Sequence, residues 1–337
     1  MQKNSPAHIA RRDFITTLAA ATVSFTTSAC KTLPEAHSPK TTAPHSSIID
    51  AHQHLWDLDQ LHLPWLLNAD SKINRTFNAE DYRLATEGLP MQAVYMEVAV
   101  AEDQLDWEAK LLEDQIKEGK TQTIAAILSG RPASPDFEAD LERCMDRGLL
   151  KGIRRILHDP ETPRGTCLEP DFIKGVRLLG KKQLTFDLCM RAKELRDVVT
   201  LAGECPDTQF VLDHCGNADA KAFQQKPASK PAHTAIEWQK SMEAIAKMPN
   251  VACKISGIIE PMSAGWTTED LEPIINHCFD HFGPERVLFS SNWPVCLLGG
   301  SLHAWVNALA QVTARRPASE RAKLWAENAK RIYRLEA

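Results

Sequence analysis

Glycine-rich phosphate loops and long basic runs are missing from this sequence of 337 residues. Glycine is scarce at 15 residues, and neither GxGxxG nor GxxxxGK[ST] occurs, which argues against a nucleotide-phosphate cradle. No run of lysine and arginine offers phosphates a basic face, and the formal charge of -5 argues against nucleic acid as a partner. A hydrophobic content of 43% and a charged content of 25% are ordinary for globular proteins and exclude a disordered, collagen-like or coiled-coil chain.

Paired cysteine motifs are missing as well, because none of the nine cysteines forms a CxxC pair. Cys189, Cys215, Cys253 and Cys296 fall in or beside apolar, strand-like runs, where small buried thiols pack as hydrophobes. The cysteines after residue 30 are therefore predicted to be reduced core residues rather than a disulfide framework.

The first thirty residues differ from the rest. Arg11 and Arg12 precede an uncharged, threonine-containing stretch, 14–29, that is too short and too polar to span a bilayer. This pattern predicts a twin-arginine signal at 1–30, with export to the periplasm through the Tat translocon; a frayed helix is the alternative. Residues 27–30 (TSAC) also fit a lipoprotein cleavage site, which would place a lipid anchor on Cys30. The proline- and serine-containing segment 31–47 predicts a flexible linker.

From residue 48 onward, short β-branched and apolar runs alternate with amphipathic segments of ten or more residues. This alternation predicts a parallel sheet, and eight such units predict a single (β/α)8 TIM barrel at 48–337. A doubly wound sheet is the alternative, but it would normally show a glycine-rich first turn. The long segment 55–86 is predicted to be a loop over the barrel mouth. The predicted strands are 48–54, 93–99, 123–128, 152–157, 184–189, 209–213, 251–255 and 287–291.

In such barrels the chemistry lies at the carboxyl ends of the strands. His52 and His54 end the first strand, and the strand period of two places both imidazoles on one face, where they can converge on one ion. Ionisable groups stand at the same end of at least six strands, which favours a shared active site over a structural charge network. The other polar residues at these ends are Glu97, Arg154, Arg155, Asp187, Asp213, His214, Lys254, Ser256 and Asn292.

Several of these segments resemble the amidohydrolase-2 family, a TIM-barrel group that includes sugar lactonases of the L-fuconolactonase and L-rhamnono-lactonase type. The resemblance runs from about residue 48 to near the carboxyl terminus and implies hydrolysis of a lactone or a related ester or amide bond. Its motifs are 49–57 (IDAHQHLWD), 63–66 (LPWL), 94–99 (VYMEVA), 151–154 (KGIR), 212–216 (LDHCG), 253–257 (CKISG) and 291–296 (SNWPVC).

One position departs from the family pattern. The last motif usually reads Ser-Asp-Trp-Pro, with the aspartate as metal ligand or general base, whereas this chain has Asn292. An amide takes no proton near neutral pH, although it can orient water. The base is then expected to be His214, Glu97 or Asp187, or a hydroxide on a metal.

We expect His52 and His54, together with Glu97, to bind a divalent metal such as zinc, unless the histidines bind the carbonyl oxygen directly. His214 is expected to transfer the proton, Asn292 to position water, and Arg154 and Lys254 to hold the substrate. Trp65 in the long first loop is predicted to pack on a sugar ring, although a purely structural role fits equally well. The site residues of the hypothesis are His214, Glu97, Asp187 and Asn292 (catalytic), Arg154, Lys254 and Trp65 (substrate), and His52, His54 and Glu97 (metal).

Two other functions stay open at this point. A decarboxylase or amidase of the same superfamily would release CO₂ or ammonia instead of the acid that lactone opening gives. An exported protein that binds sugar acids without turning them over would explain Asn292 directly. A metal-independent reaction also stays open.

Overall fold

The computed structural model describes residues 47–262 and 265–335. The predicted export signal at 1–30 and its candidate anchor Cys30 lie outside the described residues, as does the predicted linker except for its last residue. In the described part of the chain, no helix has the length and apolar character needed to cross a membrane.

Eight parallel strands form one sheet in the order β1 to β8, and all eight coincide with predicted strands. Their residues are largely buried, as expected for strands covered on both faces. The bounds are β1 (Ile48–Gln53), β2 (Met91–Met96), β3 (Thr123–Ser129), β4 (Leu150–Ile156), β5 (Thr185–Cys189), β6 (Gln209–Leu212), β7 (Val251–Ile255) and β8 (Val287–Phe289).

Backbone hydrogen bonds just past the end of β8 join it to β1. The amide of His54 donates to the carbonyl of Trp293 over 2.8 Å, and the amide of Asn292 donates to the carbonyl of His52 over 3.0 Å. The eight strands therefore make a (β/α)8 barrel, and the doubly wound alternative is wrong. The closure brings Asn292 beside the histidines of β1.

The amphipathic segments predict helices at 103–118, 134–146, 170–180, 192–203, 234–247, 268–281 and 302–314, and the observed helices begin and end within a few residues of these bounds. Local signals explain the starts: Pro170 occupies a first helical turn, and Thr234 and Glu237 form a capping box. The helices that follow the strands are Leu105–Lys117, Phe137–Met145, Pro170–Lys181, Leu195–Glu204, Ala235–Ala246, Thr268–Phe282 and Leu302–Thr313.

The long segment after β1, predicted to be a loop, contains a 3₁₀ turn, Pro64–Asn68, and a helix, Ala79–Ala85. Asn78 caps this helix in a capping box with Asp81. The segment packs on the barrel through Phe77, whose ring is 5.3 Å from that of Trp293. It therefore lies beside the carboxyl ends of β1 and β8.

The sequence predicts one last helix at 319–334, but this segment is divided into a helix (Ala318–Ala322), a π-helical turn (Lys323–Glu327) and a second helix (Asn328–Ile332). The side-chain amide of Asn328 donates to the carbonyls of Pro284 and Val287, which anchors this C-terminal segment at the start of β8. Together with inward-facing strand residues it forms a buried group that we term the interior cluster. Its members are Ile49, Ala51, Val94, Met96, Ala125, Ile127, Val211, Ala252, Leu288, Ala326, Ala329, Ile332 and Tyr333.

All eight described cysteines are free, and seven of them are buried. The prediction that they are reduced core residues therefore agrees with the described part of the chain.

Candidate active site

Three histidines and one aspartate converge at the carboxyl ends of β1 and β6. The Nε2 atoms of His52 and His54 are 3.1 Å apart, which is the convergence that the strand period predicts. The His52 and His214 rings are 4.4 Å apart between centroids, and His52 Nδ1 is 3.4 Å from Asp213 Oδ1. Ligand atoms of His52, Asp213 and His214 all lie within 4.8 Å of one another. We refer to these three residues as the His–Asp–His cluster.

Local backbone geometry orients His214. The residue follows Asp213 at the end of β6 and adopts a left-handed φ of 54°. Its Nδ1 lies 2.9 Å from Ser256 Oγ, and Ser290 Oγ donates to that same hydroxyl over 2.8 Å. These hydroxyls hold one ring nitrogen and leave Nε2 for a ligand or substrate. Gly257 is required beside it, because a Cβ there would lie 2.3 Å from the Cβ of His214.

Glu97 pairs with Arg154 rather than with the histidines. Arg154 Nε donates to Glu97 Oε1 over 2.6 Å, and the amide of Ala99 donates to Oε2 over 2.8 Å. Arg154 NH1 in turn lies 3.4 Å from His52 Nε2. Both oxygens of Glu97 are thus engaged, and in the described chain the carboxylate grouped with His52 and His214 is that of Asp213. The expected metal-binding and catalytic roles of Glu97 stay predictions.

Lys254 and Asp187 form a second buried ion pair below the histidines. Lys254 Nζ donates to Asp187 Oδ2 over 2.6 Å and lies 3.2 Å from His52 Nδ1. The hydroxyl of Tyr333 donates to the same Asp187 oxygen over 2.8 Å. Because Asp187 is held from two sides, the geometry gives it a structural task, and its predicted role as a base remains untested.

The carboxylate of Asp213 is the best observation bearing on a metal ion. Lys254 Nζ lies 2.9 Å from its Oδ1 and Arg154 NH1 lies 3.6 Å from its Oδ2. Nevertheless, neither buried oxygen accepts a well-directed hydrogen bond from the described residues. Buried polar atoms are normally satisfied, so a ligand at this place would complete the contacts of the Asp213 carboxylate. Together with two imidazoles it matches the donor set of a divalent metal such as zinc.

Burial sets the protonation states of this centre. It lowers the pKa of His54 and that of His214 to about 3, and burial together with Lys254 lowers the pKa of His52 well below its usual value. Burial alone would raise the pKa of Asp213, but Lys254 and His52 outweigh it and hold that pKa well below its usual range. Near neutral pH the centre therefore combines neutral imidazoles with a charged carboxylate, which are the forms that bind metals.

Asn292 contacts a residue that sequence reasoning missed. Its side-chain amide donates to Glu260 Oε1 over 2.8 Å, and the other oxygen of Glu260 is buried without a partner among the described residues. Burial raises the pKa of Glu260 to about 7. Glu260 lies five residues past the end of β7, beyond the strand-end positions from which candidates were chosen, so no sequence signal pointed to it.

Trp65 lies further from the centre than the other predicted residues. Its indole nitrogen donates to the carbonyl of Val98 over 2.8 Å, and its side chain is 40% exposed. The ring makes an edge contact with Trp56 at 5.7 Å, and Trp56 is 6.4 Å from the ring of His54. Trp65 is thus separated from His54 by one aromatic ring.

Comparison with known proteins now decides the family, since the amidohydrolase profile matches residues 49–335. The chain belongs to the amidohydrolase family. It is accordingly an enzyme of the hydrolase class, and the resemblance inferred from the motifs is confirmed.

Individual relatives agree with this assignment. The chain is 30% identical over 310 residues to an uncharacterized protein of Sinorhizobium fredii, covering 86% of this chain and 99% of the relative. It is 28% identical over 294 residues to an L-fucono-1,5-lactonase of Burkholderia multivorans, covering 85% and 96%. A crystal structure of a Burkholderia multivorans amidohydrolase with bound zinc superposes with a TM-score of 0.74 at 25% identity, covering 86% and 100%.

Proposed function

We propose that this enzyme hydrolyses the lactone of a sugar acid, most simply one of the L-fucono- or L-rhamnono-lactone type. The observation that carries the proposal is the buried His–Asp–His cluster, whose carboxylate oxygens lie beside Arg154 and Lys254 but accept no hydrogen bond from the described residues. The similarity to an L-fucono-1,5-lactonase supports the choice of a lactone over other substrates of the family.

The residues present fit a divalent metal, which His52, Asp213 and His214 would hold. When bound, such an ion would act as a Lewis acid toward the ester carbonyl of the lactone. His54 lies within 3.1 Å of His52 and is the nearest further imidazole. The proposed ligands thus differ from the set expected from the sequence, His52, His54 and Glu97: Asp213 and His214 join His52.

The cations around the cluster provide substrate binding. Arg154 is held by Glu97 through both its side chain and its backbone carbonyl, so one guanidinium nitrogen, NH1, remains directed at His52 and Asp213. Glu97 thus positions Arg154. A fixed cation at this place favours hydroxyl or carboxylate oxygens of the substrate and the negative charge that develops on the carbonyl oxygen.

A panel of lactones tests the proposal. Purified enzyme is mixed with L-fucono-, L-rhamnono- and galactonolactone and with an aromatic lactone, and acid release is followed with a pH indicator. Sustained acid release from a sugar lactone supports the proposal, and its absence throughout the panel contradicts it. Release of CO₂ or ammonia from carboxylate or amide substrates would instead support the decarboxylase or amidase alternatives.

The same assay tests the binding-protein alternative through Asn292→Asp. In a protein that lacks turnover because of Asn292, this substitution creates activity where the wild type has none. In the proposed lactonase it only modifies an existing rate.

Export through the twin-arginine pathway, with lipidation at Cys30 as its variant, remains a proposal. It is supported by the Arg11-Arg12 motif and by a family match that begins only at residue 49. Replacing both arginines with lysine is expected to retain the protein in the cytoplasm in cell fractionation, and a periplasmic double variant would contradict it.

A further inference from the structure

The Glu260 carboxylate is unusual because only one of its oxygens is hydrogen-bonded and it forms no ion pair with a described residue. Asn292 Nδ2 donates to Oε1, but Oε2 is buried and has no partner among the described residues. Burial is the largest influence on its pKa, hydrogen bonds from Asn292 and from nearby backbone amides lower that pKa, and no lysine or arginine of the described residues forms an ion pair with it. A buried carboxylate without a counter-charge is costly, and such groups are concentrated at functional sites.

The chain just before Glu260 is closely packed, and one of its residues contacts the His–Asp–His cluster. Ile258 and Ile259 are buried, and Gly299 packs so closely that a Cβ there would lie 2.0 Å from the carbonyl oxygen of Ile259. Gly257, at the start of this loop, packs directly on His214. The loop that carries Glu260 therefore packs against Gly299 at Ile259 and against His214 at Gly257.

Asn292 provides a second link, between Glu260 and His52 of β1. Its backbone amide donates to the carbonyl of His52 over 3.0 Å while its side chain donates to Glu260 over 2.8 Å. Asn292 adopts a left-handed φ of 56°, a conformation that asparagine tolerates better than most residues. The side chain at this position thus links β1 to a carboxylate that arises from the loop after β7.

We propose that Glu260 is the carboxylate that transfers protons during lactone opening, with Asn292 as its positioning residue. The inference rests on the proposed lactonase function and supplies the proton acceptor that Asn292 cannot be. If His214 acted as the base, it could not also bind the metal. Proton transfer by Glu260 leaves His214 available as a metal ligand.

The step balances with water as the only co-reactant. A water oxygen forms a bond to the carbonyl carbon while one of its protons passes to Glu260 Oε2. The tetrahedral intermediate then breaks the ring carbon–oxygen bond, and the proton passes from Glu260 to the departing alkoxide. The product is the open hydroxy acid, and the Glu260 carboxylate is restored.

Glu260→Gln separates this role from a structural one. Glutamine keeps an oxygen that accepts the hydrogen bond from Asn292 but cannot accept a proton, so a mere loop anchor would tolerate it. We expect kcat to fall by about 10²-fold to 10⁴-fold with little change in KM. Glu87→Gln, at an exposed glutamate, is the matched control and should leave kcat unchanged. A Glu260→Gln variant with wild-type kcat would overturn the inference.

The pH profile provides a second readout. Since the pKa of Glu260 is raised to about 7, wild-type kcat should rise with pH through about 7 and then level off. The titratable groups facing Glu260 are the thiols of Cys215 and Cys296. The Asn292 hydrogen bond lowers this pKa, so Asn292→Ala should move the rise to higher pH. An unmoved rise in Asn292→Ala would contradict the positioning role.

A stability titration separates failure of this inference from failure of the lactonase proposal. The raised pKa means that ionising Glu260 disfavours the fold, so the wild type loses stability as pH rises from about 4.5 toward about 7. The excess in Tm of Glu260→Gln over wild type should therefore grow across that window and then stay constant. A constant difference would overturn the placement of a buried, open carboxylate, whatever the substrate. If the wild type opens no lactone, the proposed function fails independently of this result.

Discussion

The two ends of the barrel interior are built from the same strands but differ completely in chemistry. Toward the amino ends, inward-facing Ile49, Val94 and Ile127 pack with the C-terminal segment in the interior cluster. Toward the carboxyl ends, the strands and the residues just after them carry charges and imidazoles, among them His52, Arg154 and Asp213, which are also buried. Apolar burial at the amino end stabilises the fold. At the carboxyl end, burying polar groups in fixed positions costs part of that stability.

The two ends meet at Tyr333. Its ring belongs to the interior cluster, and its hydroxyl donates to Asp187, which pairs with Lys254. We therefore expect substitutions at the carboxyl end of the barrel interior mainly to alter activity, and substitutions at its amino end mainly to alter stability.

The largest effect is expected for Asp213→Asn at the charged end. The amide removes the charge that a metal needs but keeps the shape, and Lys254 retains Asp187 as a partner at 2.6 Å. We expect kcat/KM for the lactone to fall about 10³-fold, equivalent to about 4 kcal/mol, with a modest change in Tm. Asp207→Asn, at an exposed aspartate, is the control. Near-wild-type activity in Asp213→Asn would remove the cluster from the mechanism.

A smaller effect, on stability rather than on activity, is expected for Ile127→Ala at the apolar end. The side chain is fully buried, and its truncation leaves a cavity that should cost about 2–5 kcal/mol of unfolding free energy in chemical denaturation. Ile236→Ala provides the same substitution at a residue that is 63% exposed and should cost less than about 0.5 kcal/mol. The activity per folded molecule should not change in either variant, and a large loss in Ile127→Ala would show that the two ends are coupled.

The smallest effect is expected for Tyr333→Phe, which removes only the hydroxyl joining the two ends. Losing one hydrogen bond to Asp187 should lower the unfolding free energy by about 1–2 kcal/mol, since Lys254 still neutralises that carboxylate. The measurement is denaturation together with kcat. If kcat in Tyr333→Phe fell as far as in Asp213→Asn, the division between the ends would be wrong.

The barrel could be predicted from the sequence because its signals are local. Each strand is a short apolar run bounded by turn residues, and β7 was predicted with its observed bounds, Val251–Ile255. The helix Ala79–Ala85 was missed although Asn78 and Asp81 form a capping box, because the segment around it has little apolar periodicity. The C-terminal segment was predicted as one helix, and its π-helical turn depends on tertiary packing against β8 that no local pattern encodes.

The site could be predicted only in outline. Strand parity brought His52 and His54 together correctly, because alternation is a property of one strand. The choice of carboxylate depends on which side chains on different strands meet. Arg154 on β4 engages Glu97 at the end of β2, and this leaves Asp213 beside the histidines. Glu260 was missed because its importance arises from a contact with Asn292, 32 residues further along the chain.

Metal content measured together with lactone hydrolysis tests the central claim most directly. The purified enzyme is assayed for bound metal and for turnover of L-fucono-1,5-lactone before chelation, after chelation and after zinc is returned. The account predicts that metal and activity are lost together and restored together, and that Asp213→Asn retains neither. A metal-free wild-type enzyme with its full rate of lactone opening would contradict it.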